Sequence, residues 1–90
     1  MKIEEGKFIP RELEQLFRKE LTIEDRKKAK ELSGQSYSMV RDLSYGSATV
    51  TKGNRKSVLA LMEVLREKLE SREESKQKLE MLLEEEASGV

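Results

Sequence analysis

Apolar side chains recur three and four positions apart in two stretches of the chain, the spacing that places them on one face of an α-helix. The first stretch contains Leu13, Leu16, Phe17 and Leu21. The second contains Val58, Leu59, Leu61, Met62, Leu65 and Leu69. Pro10 precedes the first stretch, where a helix start tolerates proline, and Asn54 precedes the second as a suitable N-cap. We therefore predict one helix from about Arg11 to Glu20 and a stronger one from Asn54.

Between these stretches the pattern predicts a second helix with little apolar surface. Thr22 and Asp25 resemble a capping box with aspartate in place of the usual glutamate, so the helix should run from there to about Ser33. Its only apolar side chains are Ile23, Ala29 and Leu32. Basic side chains should cover much of the remaining surface: Arg26, Lys27, Lys28 and Lys30.

A short third helix is predicted after a turn at Gly34. Ser36 is suited to cap it, and it should end near Ser44 or Tyr45, before Gly46. Its core-facing side would carry Met39, Val40 and Leu43, and its outer side Tyr37, Ser38, Arg41 and Asp42. Residues 47–53 have no helical period and predict a loop or a short extended piece such as a wing-like strand.

Beyond Leu69 the pattern leaves two interpretations open. Residues 71–78 contain no apolar side chain, yet one heptad frame spans them, with Met62, Leu65, Leu69, Arg72, Lys76, Leu79 and Leu83 at successive positions. This frame favours a coiled coil with charged residues at its centre. The alternative is a solvated helix whose end frays. The last four residues, 87–90, are expected to be disordered.

Composition and charge narrow the class of protein. The chain has 90 residues, 36% of them hydrophobic and 40% charged, which is typical of one small domain with long solvated helix faces. We predict an all-α fold: a small helix-turn-helix bundle of four to five helices in residues 1–70, with a long C-terminal helix whose end, residues 71–90, is an extension. The formal net charge is zero, but residues 26–56 contain eight basic and two acidic side chains, a net charge of +6. Such a segment is a candidate surface for a polyanion.

Several classes of function are excluded or disfavoured. Cysteine and histidine are absent, which excludes the usual zinc sites, disulfides, thiol nucleophiles and imidazole bases. No spacing of serine, lysine and carboxylate residues suggests catalysis, so we expect no enzyme, no metal, no cofactor and no small-molecule site. There is no apolar run of the roughly 20 residues that span a bilayer and no secretion signal. We therefore expect a cytoplasmic protein without membrane contact, associated with the nucleoid if it binds DNA.

The segment E-L-S-G-Q-S-Y-S-M-V-R-D-L, residues 31–43, is similar to the helix-turn-helix of the phage-repressor family, the Cro and lambda-repressor-like regulators of bacteria and phages. In that family a turn glycine is followed six residues later by Val or Ile and three residues later again by an apolar residue. Gly34, Val40 and Leu43 occupy these places. The stretch N-R-K-S-V-L-A-L-M-E-V-L from Asn54 resembles the next helix of the family, so the resemblance covers about residues 25–69.

The resemblance implies sequence-specific binding of double-stranded DNA by a transcriptional regulator, as a homodimer. The helix from about Ser36 to Tyr45 would lie in the major groove, with the groove-facing residues Gln35, Ser36, Tyr37, Ser38 and Arg41. Arg41 is the candidate for a bidentate contact to guanine, and the two serines are candidates for phosphate. The DNA backbone would be held by Lys27, Lys28, Lys52, Arg55 and Lys56.

Alternatives to each assignment remain open. The lysines can simply be solvated, Tyr37 and Tyr45 can cover the edge of the core, and Arg41 can pair with acids of the same chain. The second functional hypothesis is a helical protein-interaction module, adaptor or antitoxin-like, whose basic surface binds an acidic partner. RNA binding is a third. The operator sequence, any effector and the direction of regulation are not determined by the sequence.

Overall fold

The computed structural model describes residues 2–88 and contains four helices in that range. They are α1 (Arg11–Glu20), α2 (Ile23–Ser33), α3 (Tyr37–Ser44) and α4 (Arg55–Ser88), and no strand occurs among the described residues. The predicted all-α fold with a long C-terminal helix is therefore confirmed. None of these helices combines the length and apolarity that crossing a membrane requires.

Local hydrogen bonds at the helix ends explain why the elements begin and end where they do. Thr22 Oγ1 accepts from the Asp25 amide at 3.2 Å, and Asp25 Oδ2 accepts from the Thr22 amide at 2.8 Å, which completes the predicted capping box of α2. Gly34 ends α2 in the left-handed conformation, with φ 72°. Ser36 Oγ then accepts from the Met39 amide at 3.2 Å and caps α3.

The end of α3 is a Schellman motif that contains a second glycine of positive φ. The Gly46 amide donates to Leu43 O at 3.2 Å, and the Ser47 amide donates to Asp42 O at 2.8 Å. Gly46 has φ 72°, which side chains with a Cβ rarely adopt. The predicted stop at Gly46 is therefore confirmed, and the chain leaves α3 in a defined direction.

The core lies between α1, α3 and the first half of α4. Its largest fully buried apolar side chains are Phe17, Val40, Leu43, Val50, Val58 and Leu61. Helix α2 contributes little apolar area, since Ile23 and Leu32 are 59% and 58% exposed and only Ala29 is buried. The buried apolar face of α2 is thus even smaller than predicted, so interactions other than apolar packing must position this helix.

Arg26 provides the main such interaction, and its location corrects the sequence prediction that it belongs to the basic surface. Its side chain is only 2% exposed. Nε donates to Ser44 Oγ at 2.8 Å, Nη1 to Leu21 O at 3.0 Å and Nη2 to Phe17 O at 3.4 Å. One α2 side chain therefore contacts the carboxyl ends of both α1 and α3.

The positive charge of Arg26 is stabilised without an acidic partner. No salt bridge to Arg26 occurs within residues 2–88. Its guanidinium instead lies 4.5 Å from the centre of the Tyr45 ring, and that of Arg18 lies 5.0 Å from the same ring. The carbonyl ends of α1 and α3 add the negative potential of a helix C-terminus.

The loop between α3 and α4 is held by Asn54, in a different way from the predicted N-cap. Asn54 is 4% exposed, and its side chain bonds backwards along the chain. Oδ1 accepts from the Thr51 amide at 2.7 Å, and Nδ2 donates to Thr49 O at 3.1 Å. Thr51 Oγ1 in turn accepts from the Asn54 amide at 3.1 Å. Thr51 therefore takes the N-cap position of a capping box, with Asn54 three residues later.

Helix α4 continues far beyond the core. Residues 69–88 are all exposed and helical, so the heptad frame lies on one uninterrupted helix. The expected disorder is wrong for Ala87 and Ser88, because both belong to α4. Gly89 and Val90, the other two residues of that prediction, lie outside the described residues.

Helices α2 and α4 are joined by an ion pair between Asp25 and Lys68. Lys68 Nζ lies 2.6 Å from Asp25 Oδ2 and also donates to Glu20 O at 2.5 Å. Burial by itself would raise the pKa of Asp25. Hydrogen bonds from Lys68 and Thr22, with the charge of Lys68, outweigh that effect and hold the pKa below its usual value.

The first testable prediction concerns Arg26. Arg26→Met keeps most of the side-chain volume but removes the donors that Arg26 supplies to Leu21 O and Ser44 Oγ, so it should lower the free energy of unfolding by about 2–4 kcal/mol. The same substitution at the exposed neighbour, Lys27→Met, should change it by no more than about 0.5 kcal/mol. Urea unfolding measures both, and equal stabilities of the two variants would contradict this account.

The second prediction concerns the pH dependence of stability. Because folding lowers the pKa of Asp25, its carboxylate adds stability above the unfolded pKa of about 4, and this is lost as pH falls through the folded pKa. Asp25→Asn should therefore be less stable than the wild type by about 1–2 kcal/mol at neutral pH, with a gap that narrows below pH 4. Glu24→Gln is the matched control, since the Glu24 side chain is 82% exposed. Urea unfolding at several acidic pH values measures the difference in stability between the wild type and Asp25→Asn. A difference that does not change with pH would refute the role of this ion pair.

Candidate nucleic-acid interface

The outer face of α3 is polar and accessible. Ser38 and Arg41 are exposed and Tyr37 is half-buried, whereas Val40 and Leu43 on the opposite face are fully buried. The buried pair holds the helix against the core, so the outer side chains point away from it. The inward and outward sides predicted for α3 are therefore confirmed.

Two polar residues before the outer face of α3 already make local hydrogen bonds. The Ser36 hydroxyl oxygen accepts from the Met39 amide, so its hydroxyl hydrogen is the group left to donate. Gln35 is half-buried, and its amide donates to Ser33 Oγ at 3.3 Å. This bond is donated by the backbone amide, and Gln35 lies at the turn, one residue before the cap.

Arg41 is paired with its neighbour Asp42. Arg41 Nε and Nη2 each lie 3.2 Å from Asp42 Oδ1. The side chains of Arg41 and Asp42 are 47% and 43% exposed, and an ion pair this accessible to solvent is worth only about 0–1 kcal/mol. Arg41 can exchange this partner for another hydrogen-bond acceptor at little cost.

The lysines of α2 are paired with acids. Lys27 lies 3.6 Å from Glu24 on the same helix, and Lys28 lies 3.3 Å from Glu67 on α4. The side chain of Lys28 is thereby directed along the α2–α4 side of the molecule. The predicted phosphate-binding lysines of α2 are exposed, and in the structure their charges are partly compensated.

A second basic group lies at the start of α4. Lys52, Arg55 and Lys56 are all exposed, and Arg55 Nη1 donates to Ile3 O at 3.3 Å. Within residues 2–88 none of the three forms a salt bridge. Asn54, which lies among them in sequence, contacts α3 because its Nδ2 is 3.5 Å from Met39 Sδ. The structure thus brings the start of α4 next to α3.

The predicted site residues therefore form two groups. Gln35, Ser36, Tyr37, Ser38 and Arg41 belong to the turn and to α3, and the uncompensated charges of Lys52, Arg55 and Lys56 lie at the neighbouring start of α4. Lys27 and Lys28 are instead held by acids of α2 and α4. Without the buried Arg26, the segment 26–56 presents seven basic and two acidic side chains, a net charge of +5.

The sequence did not predict the residues that hold the carboxyl end of α3 in place. Ser44 Oγ accepts from Arg26 and donates to Arg41 O at 2.8 Å, and Arg18 Nη2 donates to Tyr45 O at 3.1 Å. One signal was present, because Arg26, Ala29 and Ser33 are spaced three and four apart and form the buried face of α2. The spacing of Arg26 from Ala29 and Ser33 therefore indicated that it could face the core.

No metal site is found in the part of the chain that the structure describes, as no three acidic side chains converge there. Comparison of the chain with models of protein families, with curated proteins and with solved structures gives no match in any of the three.

Proposed function

We propose that this protein binds double-stranded DNA with sequence preference and acts as a small transcriptional regulator. The observation that carries the proposal is the arrangement of α2 and α3 about Gly34, which presents a short helix with an exposed polar face beside an uncompensated basic group. Helix α3 has eight residues, and an α-helix with its side chains is about 10–12 Å in diameter, which fits the major groove of B-DNA, about 12 Å wide. The resemblance of residues 31–43 to the phage-repressor helix-turn-helix supports the same function.

Arg41 would provide the base-specific contact. A guanidinium can donate two parallel hydrogen bonds to guanine O6 and N7, which is worth about 1–3 kcal/mol of discrimination. Asp42 would hold Arg41 in place before DNA arrives and could accept from the N4 amino group of cytosine once Arg41 has moved to guanine. Tyr37 and Ser38 would contact the groove at the N-terminal end of α3.

Phosphate contacts would come from the second basic group. Within the described residues, Lys52, Arg55 and Lys56 form no salt bridge that DNA binding would have to break. Each can therefore neutralise a phosphate and release a counterion. Lys27 and Lys28 would first have to leave Glu24 and Glu67, and their contribution would be smaller. These contacts position the protein on the duplex and do not depend on sequence.

One copy of α3 covers a short site, so we propose that the regulator acts as a homodimer on two half-sites. Helix α4 would supply the contact between copies. Its segment from Leu69 to Ser88 contains seven acidic and three basic side chains, a net charge of −4.

A second candidate function is a protein-interaction module. It is favoured by the apolar side chains that α2 exposes, Ile23 and Leu32, and by the acids with which Lys27 and Lys28 are already paired. Selection of binding sites from random duplex DNA distinguishes the two functions. A recovered palindrome or direct repeat supports the regulator, and the absence of any enriched sequence favours the protein-interaction module.

The third testable prediction concerns sequence preference. Arg41→Ala should abolish enrichment in such a selection, because it removes the only arginine on the outer face of α3, and it should leave helix content unchanged. Arg41→Lys is the matched control, since it keeps the positive charge without the bidentate geometry. Arg41→Lys should lose the preference for one DNA sequence while it retains affinity for non-specific duplex. Full enrichment by either variant would refute the assignment of a base-specific contact to Arg41.

The fourth prediction separates positioning contacts from base contacts. Lys56→Ala should weaken binding to specific and non-specific duplexes alike and should lower the slope of log affinity against log salt by about one. Lys78→Ala removes the same charge from the same helix about 33 Å away and should have little effect. Fluorescence anisotropy at several salt concentrations gives both slopes. Equal effects of the two substitutions would argue against a phosphate contact at Lys56.

A further inference from the structure

The exposed end of α4 has an apolar face without a partner in the monomer. Leu79, Leu82 and Leu83 are 57%, 51% and 61% exposed, on a helix segment that packs against no other element. A single helix of this length is only marginally stable in water without tertiary contacts. The leucines therefore indicate a surface that is covered in the functional state.

An apolar groove on the bundle continues the same face of α4. It has a volume of about 290 Å³ and is lined by Leu13 and Leu16 of α1 and by Met62, Leu65, Arg66 and Leu69 of α4. Leu16 is 45% exposed in it. Three of the α4 residues in this groove, Met62, Leu65 and Leu69, are heptad positions of the frame that leads to Leu79 and Leu83. The groove and the distal leucines thus lie along one side of one helix.

Charge along α4 is polarised from one end to the other. Residues 55–68 contain four basic and two acidic side chains, a net charge of +2, whereas residues 69–88 carry −4 from three basic and seven acidic side chains. Two parallel copies of α4 would place the acidic halves side by side. Two antiparallel copies would place each acidic half beside the basic half of the other copy.

We propose that two copies of this chain associate through antiparallel α4 helices, with Leu79 and Leu83 of each copy seated in the α1–α4 groove of the other. The homodimer expected under the proposed function would then be joined by this antiparallel pair of α4 helices. The occupant of the groove is a second copy, because the distal leucines of α4 repeat the spacing of the groove residues and lie in an acidic segment that suits Arg66, the one charged residue of the groove lining.

The heptad frame determines the register of the pairing. Its seven positions are centred on Arg72, so an antiparallel arrangement brings Met62 opposite Leu83 and Leu65 opposite Leu79 of the second copy. Arg66, at the edge of the groove, then lies level with residues 78 and 79 of the second copy, one or two residues from Glu80, whose opposite charge attracts it. In the monomer Arg66 is held by Glu63 and Glu70 of its own helix, and both of these acids are exposed.

Arg72 would lie close to the twofold axis, where two like charges approach each other. Its charge is already compensated within each copy, because Arg72 Nη1 lies 2.7 Å from Glu20 Oε2 and the Glu20 side chain is only 12% exposed. Charged residues at the centre of such a pairing reduce stability but select one register. The pairing is thus expected to be specific and only moderately tight.

The same register sets the distance between the two bundles. Ala60, near the middle of the buried part of α4, would lie level with residue 85 of the second copy. At 1.5 Å per residue, the two Ala60 positions are about 37 Å apart along the helix axis. The pairing itself does not rest on the proposed function.

Spin-label distances without DNA test the arrangement, and the native chain has no cysteine to interfere. Ser71→Cys and Glu85→Cys place labels at equivalent outer positions of the heptad. Antiparallel pairing predicts a distance within about 20 Å between the two labels at 71 and about 35–45 Å between those at 85. Short distances at both positions would overturn the proposal in favour of a parallel coiled coil, and a wild type that stays monomeric in analytical ultracentrifugation would overturn any pairing.

A matched pair of variants tests the contact surface. The double variant Leu79→Ala with Leu83→Ala should raise the dimer dissociation constant about tenfold or more. Met81→Ala lies on another side of α4 and should leave it nearly unchanged, although Met81 is 62% exposed. Both substitutions favour helix, so circular dichroism should show intact folding. Equal effects of the two variants would overturn the proposed face. Because no DNA is present, failure here is distinguishable from failure of DNA binding.

Discussion

The buried guanidinium of Arg26 is the interaction on which the arrangement of the first three helices depends. Helix α2 buries only one apolar side chain, Ala29, so the hydrophobic effect alone does not determine its orientation. Arg26 donates to the end of α1 through Phe17 and Leu21 and to the end of α3 through Ser44. A long, planar side chain with five donors can connect two helix ends in this way, whereas a leucine of similar size cannot.

This connection also links stability to the proposed function. The hydroxyl of Ser44 accepts from Arg26 and donates to Arg41 O, so the buried arginine and the exposed arginine of α3 are joined through one serine. Tyr45, immediately after α3, lies against the guanidinium groups of both Arg26 and Arg18. The angle at which α3 presents Arg41 is therefore determined from within the bundle. If α3 binds DNA as proposed, a substitution of Arg26 or Ser44 would alter that binding although neither residue contacts DNA.

Much of the fold follows from local signals in the sequence. The Thr22–Asp25 capping box, the left-handed Gly34 and the Ser36 cap each need only neighbouring residues, so the bounds of α2 and α3 could be predicted. Two features depend on tertiary contacts and could not: Arg26 is buried because two helix ends meet around it, and Asn54 bonds backwards because the loop folds over Met39. Ala87 and Ser88, for which we predicted disorder, are exposed and simply continue α4. The candidate site was predictable in its exposed residues but not in the acids that pair with Lys28 and Arg41.

In the proposed function, the outer face of α3 and the start of α4 form one DNA-binding surface. Amide chemical shifts of the isotope-labelled protein, followed while a duplex is added, test this surface residue by residue. The largest changes are expected at residues 35–41 and 52–56, with little change at the exposed end of α4 around residues 79–88. Changes centred on α1 or on the end of α4, or none at a duplex concentration that saturates binding, would contradict it.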